Sequence, residues 1–194
     1  MDSRLTSSHF TTSSIVYFFA ALITLGFLSY GCSNSVTSPT IGVATGNHSP
    51  EIQSENLKGE MISLSAHKGS YVLVEFWDSQ NSEARRNHFE MQRIYQKFKD
   101  ATFDNGKKFC IYSVSLDTDR EKWAKAVSED NMNWPCNTID QRAWNSPAVL
   151  AYNISYLPKY YLIDGDGVII RRNIMINELE ALLNENLQGR LSNS

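Results

Sequence analysis

Short apolar blocks alternate with longer amphipathic stretches along this chain. The block from Tyr71 to Trp77 contains one acid, Glu75, and its length and composition predict a strand buried on both faces. From Glu83 the apolar positions recur at helical spacing, which predicts an amphipathic helix. Its predicted inward stripe comprises Ala84, Asn87 or His88, Met91, Ile94 or Tyr95, and Phe98.

The junction between this strand and this helix is the first candidate for a functional site. Asn81 and Ser82 lie there, and a side-chain oxygen at either position is able to cap the first amides of the helix. The helix is therefore predicted to begin at the carboxyl end of a buried strand. Open α/β sheets bind their ligands at such ends.

The same pattern extends on both sides of this unit. Residues 52–65 predict two short strands around a turn at Gly59, and residues 108–116 predict a second buried strand. Because strands and helices alternate, the pattern predicts an α/β fold. The other predicted elements are a helix over residues 120–130, a helix beginning at residues 144–147, a strand pair around a turn at residues 164–167, and a helix from about Asn177.

Two sequence landmarks make this α/β assignment more specific. Residues 72–77 read Val-Leu-Val-Glu-Phe-Trp, and residues 152–164 read Tyr-Asn-Ile-Ser-Tyr-Leu-Pro-Lys-Tyr-Tyr-Leu-Ile-Asp. Both resemble the thioredoxin superfamily, nearest its periplasmic redoxin branch of AhpC/TSA and TlpA/ResA-like thiol-disulfide oxidoreductases. The resemblance spans roughly residues 51–183. It implies a three-layer fold, in which helices flank a central mixed sheet, together with an N-terminal β-hairpin and a cis proline at Pro158.

The resemblance also locates a redox pair that this chain lacks. In the family, a Cys-x-x-Cys motif follows the Phe-Trp strand; by position, Asn81 stands at the first cysteine and Ala84 at the second. The helix dipole and free amides would stabilise a thiolate at that point, whereas an asparagine is unable to attack a disulfide. Ser82 has no evident base beside it, so a capping role is favoured over a nucleophilic one.

The cis-proline loop and the aromatic side chains that this chain shares with the family predict a binding surface. In the family, the cis-proline loop faces this turn and holds extended polypeptides, and aromatic side chains near such a face are able to anchor a peptide. The implied binding-groove positions are Trp77, Gln80, Ser82, Tyr156, Leu157 and Pro158. Taken singly, Trp77 is better explained as a core residue.

The resemblance further implies that Glu75 is a buried acid beneath the turn. Such an acid helps to transfer protons in the thioredoxins proper. Burial disfavours a charged carboxylate unless a partner compensates, and the candidate partners are Lys159 and the hydroxyl of Ser113. Without thiols nearby, Glu75 is predicted to be either a relic of that chemistry or a packing feature.

The first residues predict export and a lipid anchor. The apolar run from Ile15 to Leu28 has the length of a signal peptide and is short for a transmembrane helix. It leads to Gly31-Cys32, which resembles a lipobox whose cysteine is acylated; the alternative is an uncleaved signal anchor. The predicted organisation is a signal peptide over residues 1–31, a flexible tether over residues 32–50, and a thioredoxin-like domain over residues 51–194. That domain is predicted to face the periplasm from the bacterial cell envelope.

Cys110 and Cys136 are the two cysteines of the predicted domain. In an oxidising compartment such a pair is a candidate disulfide. Cys110 begins its strand, and Cys136 follows a helix that is expected to return to the same edge of the sheet. Both cysteines are therefore predicted at the end opposite the Asn81 turn.

The charge of the chain argues against a nucleic-acid partner, and its acidic residues argue against a metal site. The net charge of −3 and the pI near 5.8 offer no electrostatic footprint for nucleic acid. Asp164 and Asp166 make a poor metal site, because the other ligands of a calcium loop are missing. No metal and no cofactor are predicted. The expected partners are the membrane, through the lipid anchor, and an extended peptide or an envelope protein.

The sequence therefore favours a membrane-tethered thioredoxin-like domain that is redox-inactive at the usual site and has a binding or assembly role. Two alternatives stay open. One is a thiol-disulfide oxidoreductase or antioxidant redoxin that acts through Cys110 and Cys136; the other is a purely structural component of the envelope.

Overall fold

A computed structural model describes residues 40–187 of the chain. Its strands are β1 (Gln53–Asn56), β2 (Met61–Ser63), β3 (Tyr71–Trp77), β4 (Thr102–Phe103), β5 (Gly106–Lys107), β6 (Phe109–Ser115), β7 (Cys136–Ile139), β8 (Lys159–Ile163) and β9 (Ile169–Arg172). Its helices are α1 (Ser82–Phe98), α2 (Arg120–Glu129), α3 (Pro147–Ala151) and α4 (Ile176–Glu185), and 3-10 turns lie at Leu64–His67 and Ala143–Asn145.

The central sheet is mixed, as the resemblance implies. Its strand order is β2-β1-β7-β6-β3-β8-β9, and the three middle strands β7, β6 and β3 are parallel. The antiparallel neighbours are β1, which forms the N-terminal hairpin with β2, and β8, which leads into β9. Strand β3 therefore has a partner on both sides, which accounts for its continuous apolar run.

Successive residues of β3 point to opposite faces of the sheet and build two separate cores. Tyr71, Leu73 and Trp77 pack on the face covered by α1, α2 and α4. The intervening residues of β3 pack on the other face, with α3 and the 3-10 turn at residues 64–67. This arrangement gives the predicted three layers and places Glu75 on the side of α1.

The segment before Glu51 differs from the predicted tether. Backbone hydrogen bonds join residues 46–49 to residues 167–169: the Gly46 amide donates to the Ile169 carbonyl at 2.8 Å, and the Ile169 amide donates to the Asn47 carbonyl at 2.9 Å. These bonds give partners to backbone groups at the start of β9, which would otherwise be an open edge of the sheet. The folded domain begins earlier than residue 51, and the prediction of a flexible tether is wrong for residues 41–50.

Other predictions about the N-terminal region lie outside the described residues. These are the signal peptide over residues 1–31, the lipobox cysteine Cys32 and the first part of the tether. Among the helices formed by residues 40–187, none has the length and apolar character needed to cross a bilayer.

Candidate functional site

Helix α1 begins with a side-chain cap. The Asn81 Oδ1 atom accepts hydrogen bonds from the backbone amides of Glu83 at 3.1 Å and Ala84 at 2.9 Å. These are among the amides that a helix leaves without intrahelical partners. The cap predicted at this junction is confirmed for Asn81, while Ser82 is the exposed first residue of the helix.

The same asparagine joins the helix to the proline loop. Its Nδ2 atom donates to the backbone carbonyl of Leu157 at 3.1 Å, and the bond between Leu157 and Pro158 is cis, as the resemblance implies. The amide oxygen of Asn81 is therefore used on its own helix and the amide nitrogen on the facing loop. Asn81 fixes the distance between the two walls of the candidate site.

Replacing Asn81 with alanine is expected to cost about 2 kcal/mol of unfolding free energy, about 1 for the cap and about 1 for the bond to Leu157. Asp119 is the matched control, because it caps α2 by accepting from two amides and makes no hydrogen bond to a facing loop. Asp119→Ala is expected to cost about 1 kcal/mol. Urea unfolding of both variants measures the difference, and equal losses would contradict the bridging role.

The predicted groove positions divide into exposed and buried side chains. Gln80, Ser82 and Tyr156 are exposed, and Leu157 is partly exposed. The prediction for Trp77 as a groove residue is wrong: its side chain is fully buried, because its place in β3 points it into the core under α1. Pro158 is buried within the loop but lines a cavity beside it.

This cavity has a volume of about 360 Å³ and lies where the starts of α1, β8 and α4 meet. Glu83 and Asn87 line it from α1, Tyr156 from the proline loop, and Met175 from the start of α4. Tyr156 and Met175 are both more than half exposed, so they present apolar surface to solvent. The site combines an apolar rim with amide, carboxylate and ammonium groups, a mixture typical of ligand sites.

A chain of buried polar groups lies beneath α1. Glu75 is fully buried; its Oε2 atom accepts from the Ser113 hydroxyl at 2.6 Å, and its Oε1 atom lies 3.2 Å from His88 Nε2. On the other side of the ring, His88 Nδ1 lies 2.6 Å from Asp130 Oδ2, and Asp130 pairs with the Arg85 guanidinium. The chain runs from the core to the surface of α1 and α2.

Of the two predicted partners of Glu75, Ser113 donates a hydrogen bond to it, whereas Lys159 bonds to Tyr156 and Asn173 instead. Burial alone would lower the pKa of His88, but the charge of Glu75 and the hydrogen bonds that His88 donates to Glu75 and Asp130 outweigh it and hold this pKa above its usual value. A protonated His88 lies between two carboxylates, of which Glu75 is fully buried and Asp130 is partly exposed and also paired with Arg85. Sequence reasoning missed this network, although an acid inside an apolar strand and a histidine on an apolar helix stripe are signals that the two pair.

Cys110 lies near the end of β6 opposite Asn81, as predicted, whereas Cys136 begins β7 level with the middle of β3, and both are free thiols. The disulfide prediction is wrong for this structure. Cys136 is in register with Tyr112, two residues along β6 from Cys110. Two residues along a strand and one strand across correspond to about 8 Å between α-carbons, which exceeds the span of a disulfide.

The environment of these thiols makes them weak nucleophiles. Burial raises the pKa of Cys110, and burial followed by the proximity of Cys110 raises the pKa of Cys136 to about 12. The Cys136 Sγ atom lies 3.2 Å from His67 Nε2, but burial lowers the pKa of His67. The contact is therefore between a neutral thiol and a neutral imidazole, whereas the reactive form of cysteine is the thiolate.

Comparison with known proteins agrees with this geometry. A family model of thioredoxin-like proteins matches residues 69–169, slightly more than half of the chain. The chain belongs to this thioredoxin-like family. The matched region contains β3, α1 and the cis-proline loop, so it includes both walls of the candidate site.

Relatives of this chain include a thioredoxin-like protein and thiol-disulfide oxidoreductases. The thioredoxin-like protein YneN of Bacillus subtilis is 23% identical over 76% of this chain and 82% of its own length. The thiol-disulfide oxidoreductase ResA of Geobacillus kaustophilus is 24% identical over 76% of this chain and 79% of its own length.

Solved structures give the same assignment. The thioredoxin domain of a thiol-disulfide oxidoreductase from Bacteroides vulgatus is 32% identical, with a TM-score of 0.67 over 74% of this chain and 98% of that one. A thiol:disulfide interchange protein from a Bacteroides species is also 32% identical, with a TM-score of 0.66 over 78% of this chain and 97% of that one.

Proposed function

We propose that this protein is a lipid-anchored thioredoxin-like domain of the bacterial cell envelope that binds extended polypeptide and exchanges no dithiols at the start of α1. The observation that carries the proposal is the Asn81 side chain. It accepts from two amides of the helix start and donates to the Leu157 carbonyl, at the position where the family resemblance implies the first cysteine.

The chemistry available at the start of α1 supports the absence of exchange. Dithiol exchange proceeds by attack of a thiolate on a disulfide. Residues 81–84 supply an amide, a hydroxyl, a carboxylate and a methyl group. Activation of Ser82 would require a base, and both ring nitrogens of His88 are already engaged with Glu75 and Asp130.

The alternative enzyme, acting through Cys110 and Cys136, has weaker support. Both thiols have raised pKa values, and neither lies at the end of the sheet where α1 begins. At pH 7 we expect iodoacetamide to label them at least about tenfold more slowly in the folded protein than in urea, because little thiolate is present. Mass spectrometry of digested samples measures each site separately. Labelling of either cysteine as fast in the folded protein would favour the enzyme.

Binding is supported by the exposed surface around the proline loop. Tyr156 and Met175 flank the cavity beside Pro158, and Gln80 and Ser82 continue the surface across the helix start. An extended peptide laid along this surface would bury apolar area against Tyr156 and find polar partners nearby.

Capture of random heptapeptides by the immobilised full-length protein tests this proposal. We expect Tyr156→Ala to reduce the captured amount about tenfold, because an exposed aromatic anchor carries a large share of such binding. Phe89→Ala is the matched control, since Phe89 is an exposed aromatic of α1 that does not line the cavity. Equal capture by native protein and Tyr156→Ala would contradict binding at this surface. Absence of any capture would favour the purely structural alternative.

The membrane tether rests on Cys32 and the apolar run before it. We expect mass spectrometry of the mature N-terminus to show a diacylglyceryl group on Cys32 after removal of residues 1–31. Cys32→Ser is expected to abolish the modification. Recovery of a membrane-bound chain that still carries Met1 would indicate an uncleaved signal anchor instead.

A further inference from the structure

Lys159 is a buried cation beside the cis-proline loop. It is the first residue of β8, directly after Pro158, and only 8% of its surface is exposed. Its Nζ atom donates to the Tyr156 hydroxyl at 2.7 Å and to Asn173 Oδ1 at 2.6 Å. The ammonium also lies 3.9 Å from the centre of the Tyr156 ring. Both of its hydrogen-bonding partners line the 360 Å³ cavity, and so does Lys159.

The charge of this ammonium is incompletely compensated within residues 40–187. An ammonium has three donors, and two are used on neutral oxygens. No carboxylate oxygen of the described residues lies within 4.0 Å of Nζ. Glu83 lines the same cavity from α1 without pairing with Lys159. Buried charges are normally paired, because removal of a cation from water is costly.

We infer that the cavity receives a carboxylate of the bound polypeptide, which pairs with Lys159. This inference rests on the proposed function and specifies its ligand class. The carboxylate would take the third donor of the ammonium in a charge-assisted hydrogen bond, while Tyr156 and Asn173 hold the ammonium in place. Glu83 lines the same cavity and repels an incoming carboxylate, so the pairing must be made at Lys159, on the side of the cavity formed by Tyr156 and Asn173. The site therefore selects polypeptides that present a carboxylate within reach of Lys159.

Capture of a random heptapeptide library by the full-length protein tests the inference. Two forms of the library distinguish a side-chain carboxylate from a C-terminal one. In one form both ends are blocked by acetyl and amide groups, so only Asp or Glu side chains supply a carboxylate. In the other form the C-terminus is a free acid. If a side chain supplies the carboxylate, we expect Asp- or Glu-containing peptides of the blocked form to be captured about tenfold more than its acid-free peptides. If the chain terminus supplies it, we expect acid-free peptides with a free C-terminus to be captured about tenfold more than the same peptides with blocked ends.

Lys159→Met removes the charge and retains a long apolar side chain. We expect this variant to capture neutral peptides and to lose the acid enrichment. Lys122→Met, at an exposed lysine of α2, is expected to keep it. If the Lys159→Met variant does not fold, NMR of the native protein provides the test. A captured acidic peptide is expected to shift the signal of the Lys159 side chain, whereas the same peptide with its acid replaced by Gln is not.

The outcomes separate the two proposals. Capture without acid enrichment, or enrichment that persists in Lys159→Met, would overturn the carboxylate inference and leave the binding function in place. If the native protein captures no peptide of any composition, both proposals fail.

Discussion

Replacing His88 with leucine is expected to destabilise the folded protein by about 3–5 kcal/mol, the loss typical when one partner of a buried charge pair is removed. His88 is fully buried between the carboxylates of Glu75 and Asp130. Because leucine has a volume similar to that of histidine, we attribute the loss of unfolding free energy to the uncompensated charge of Glu75 and not to a cavity. Urea unfolding at neutral pH measures it.

Two controls test this assignment. Arg86→Leu changes an exposed residue of the same helix and is expected to stay within about 0.5 kcal/mol of the native protein. The double variant Glu75→Leu with His88→Leu removes both members of the pair, and we expect it to recover part of the loss, because apolar residues tolerate burial. A cost of less than 1 kcal/mol for His88→Leu alone would contradict the network.

The same histidine predicts a pH dependence of stability. Its folded-state pKa lies above the unfolded value of about 6.5. Its contribution is therefore fully present below about pH 6.5 and is lost as the pH rises through the folded-state pKa. The charged groups facing it are Glu75 and Asp130, with Arg85 on the far side of Asp130. The unfolding free energy of native protein is expected to fall over this window, and that of His88→Leu to change less.

Installing cysteines at positions 81 and 84 is expected to create dithiol exchange where the native protein has none. The two positions are the cap and the third residue of α1, so their thiols would lie one turn apart at the free amides. The helix dipole should lower the pKa of the first thiol, and a decrease of one pKa unit raises its thiolate fraction nearly tenfold at pH 7. Glu83 opposes part of this effect.

A cysteine pair elsewhere on the same helix provides the control. Arg86→Cys with Phe89→Cys has the same spacing at exposed mid-helix positions, where no free amides are available. We expect insulin reduction by Asn81→Cys with Ala84→Cys to be about tenfold faster than by this control pair. Equal rates would show that the start of α1 no longer activates a thiol.

Much of the fold follows from local sequence patterns. The uninterrupted apolar block of β3 and the helical stripe of α1 specify a buried strand and a helix that covers it. The cap at Asn81 is likewise a local signal, because side chain and amides are two or three residues apart. Only the resemblance, carried by the Phe-Trp and Leu-Pro landmarks, made the α/β assignment specific.

The contacts that define the site are long-range, and no local pattern contains them. Asn81 reaches Leu157, and His88 reaches Asp130, across 76 and 42 positions of the chain. The register between β6 and β7 separates Cys110, near one end of the sheet, from Cys136, which is level with the middle of β3. The polar composition of residues 46–49 suggested a tether. Their backbone groups instead form hydrogen bonds with residues 167–169, and composition gives no sign of such pairing.

Insulin reduction by the native full-length protein, with dithiothreitol as the electron source, measures whether the start of α1 exchanges dithiols. We expect a rate equal to that of the buffer alone, while a thiol-disulfide oxidoreductase assayed in parallel is active. Turnover that disappears in Cys110→Ser with Cys136→Ser would establish the alternative enzyme that acts through these two thiols. Turnover well above the buffer rate that survives both substitutions would contradict an inactive site at the start of α1.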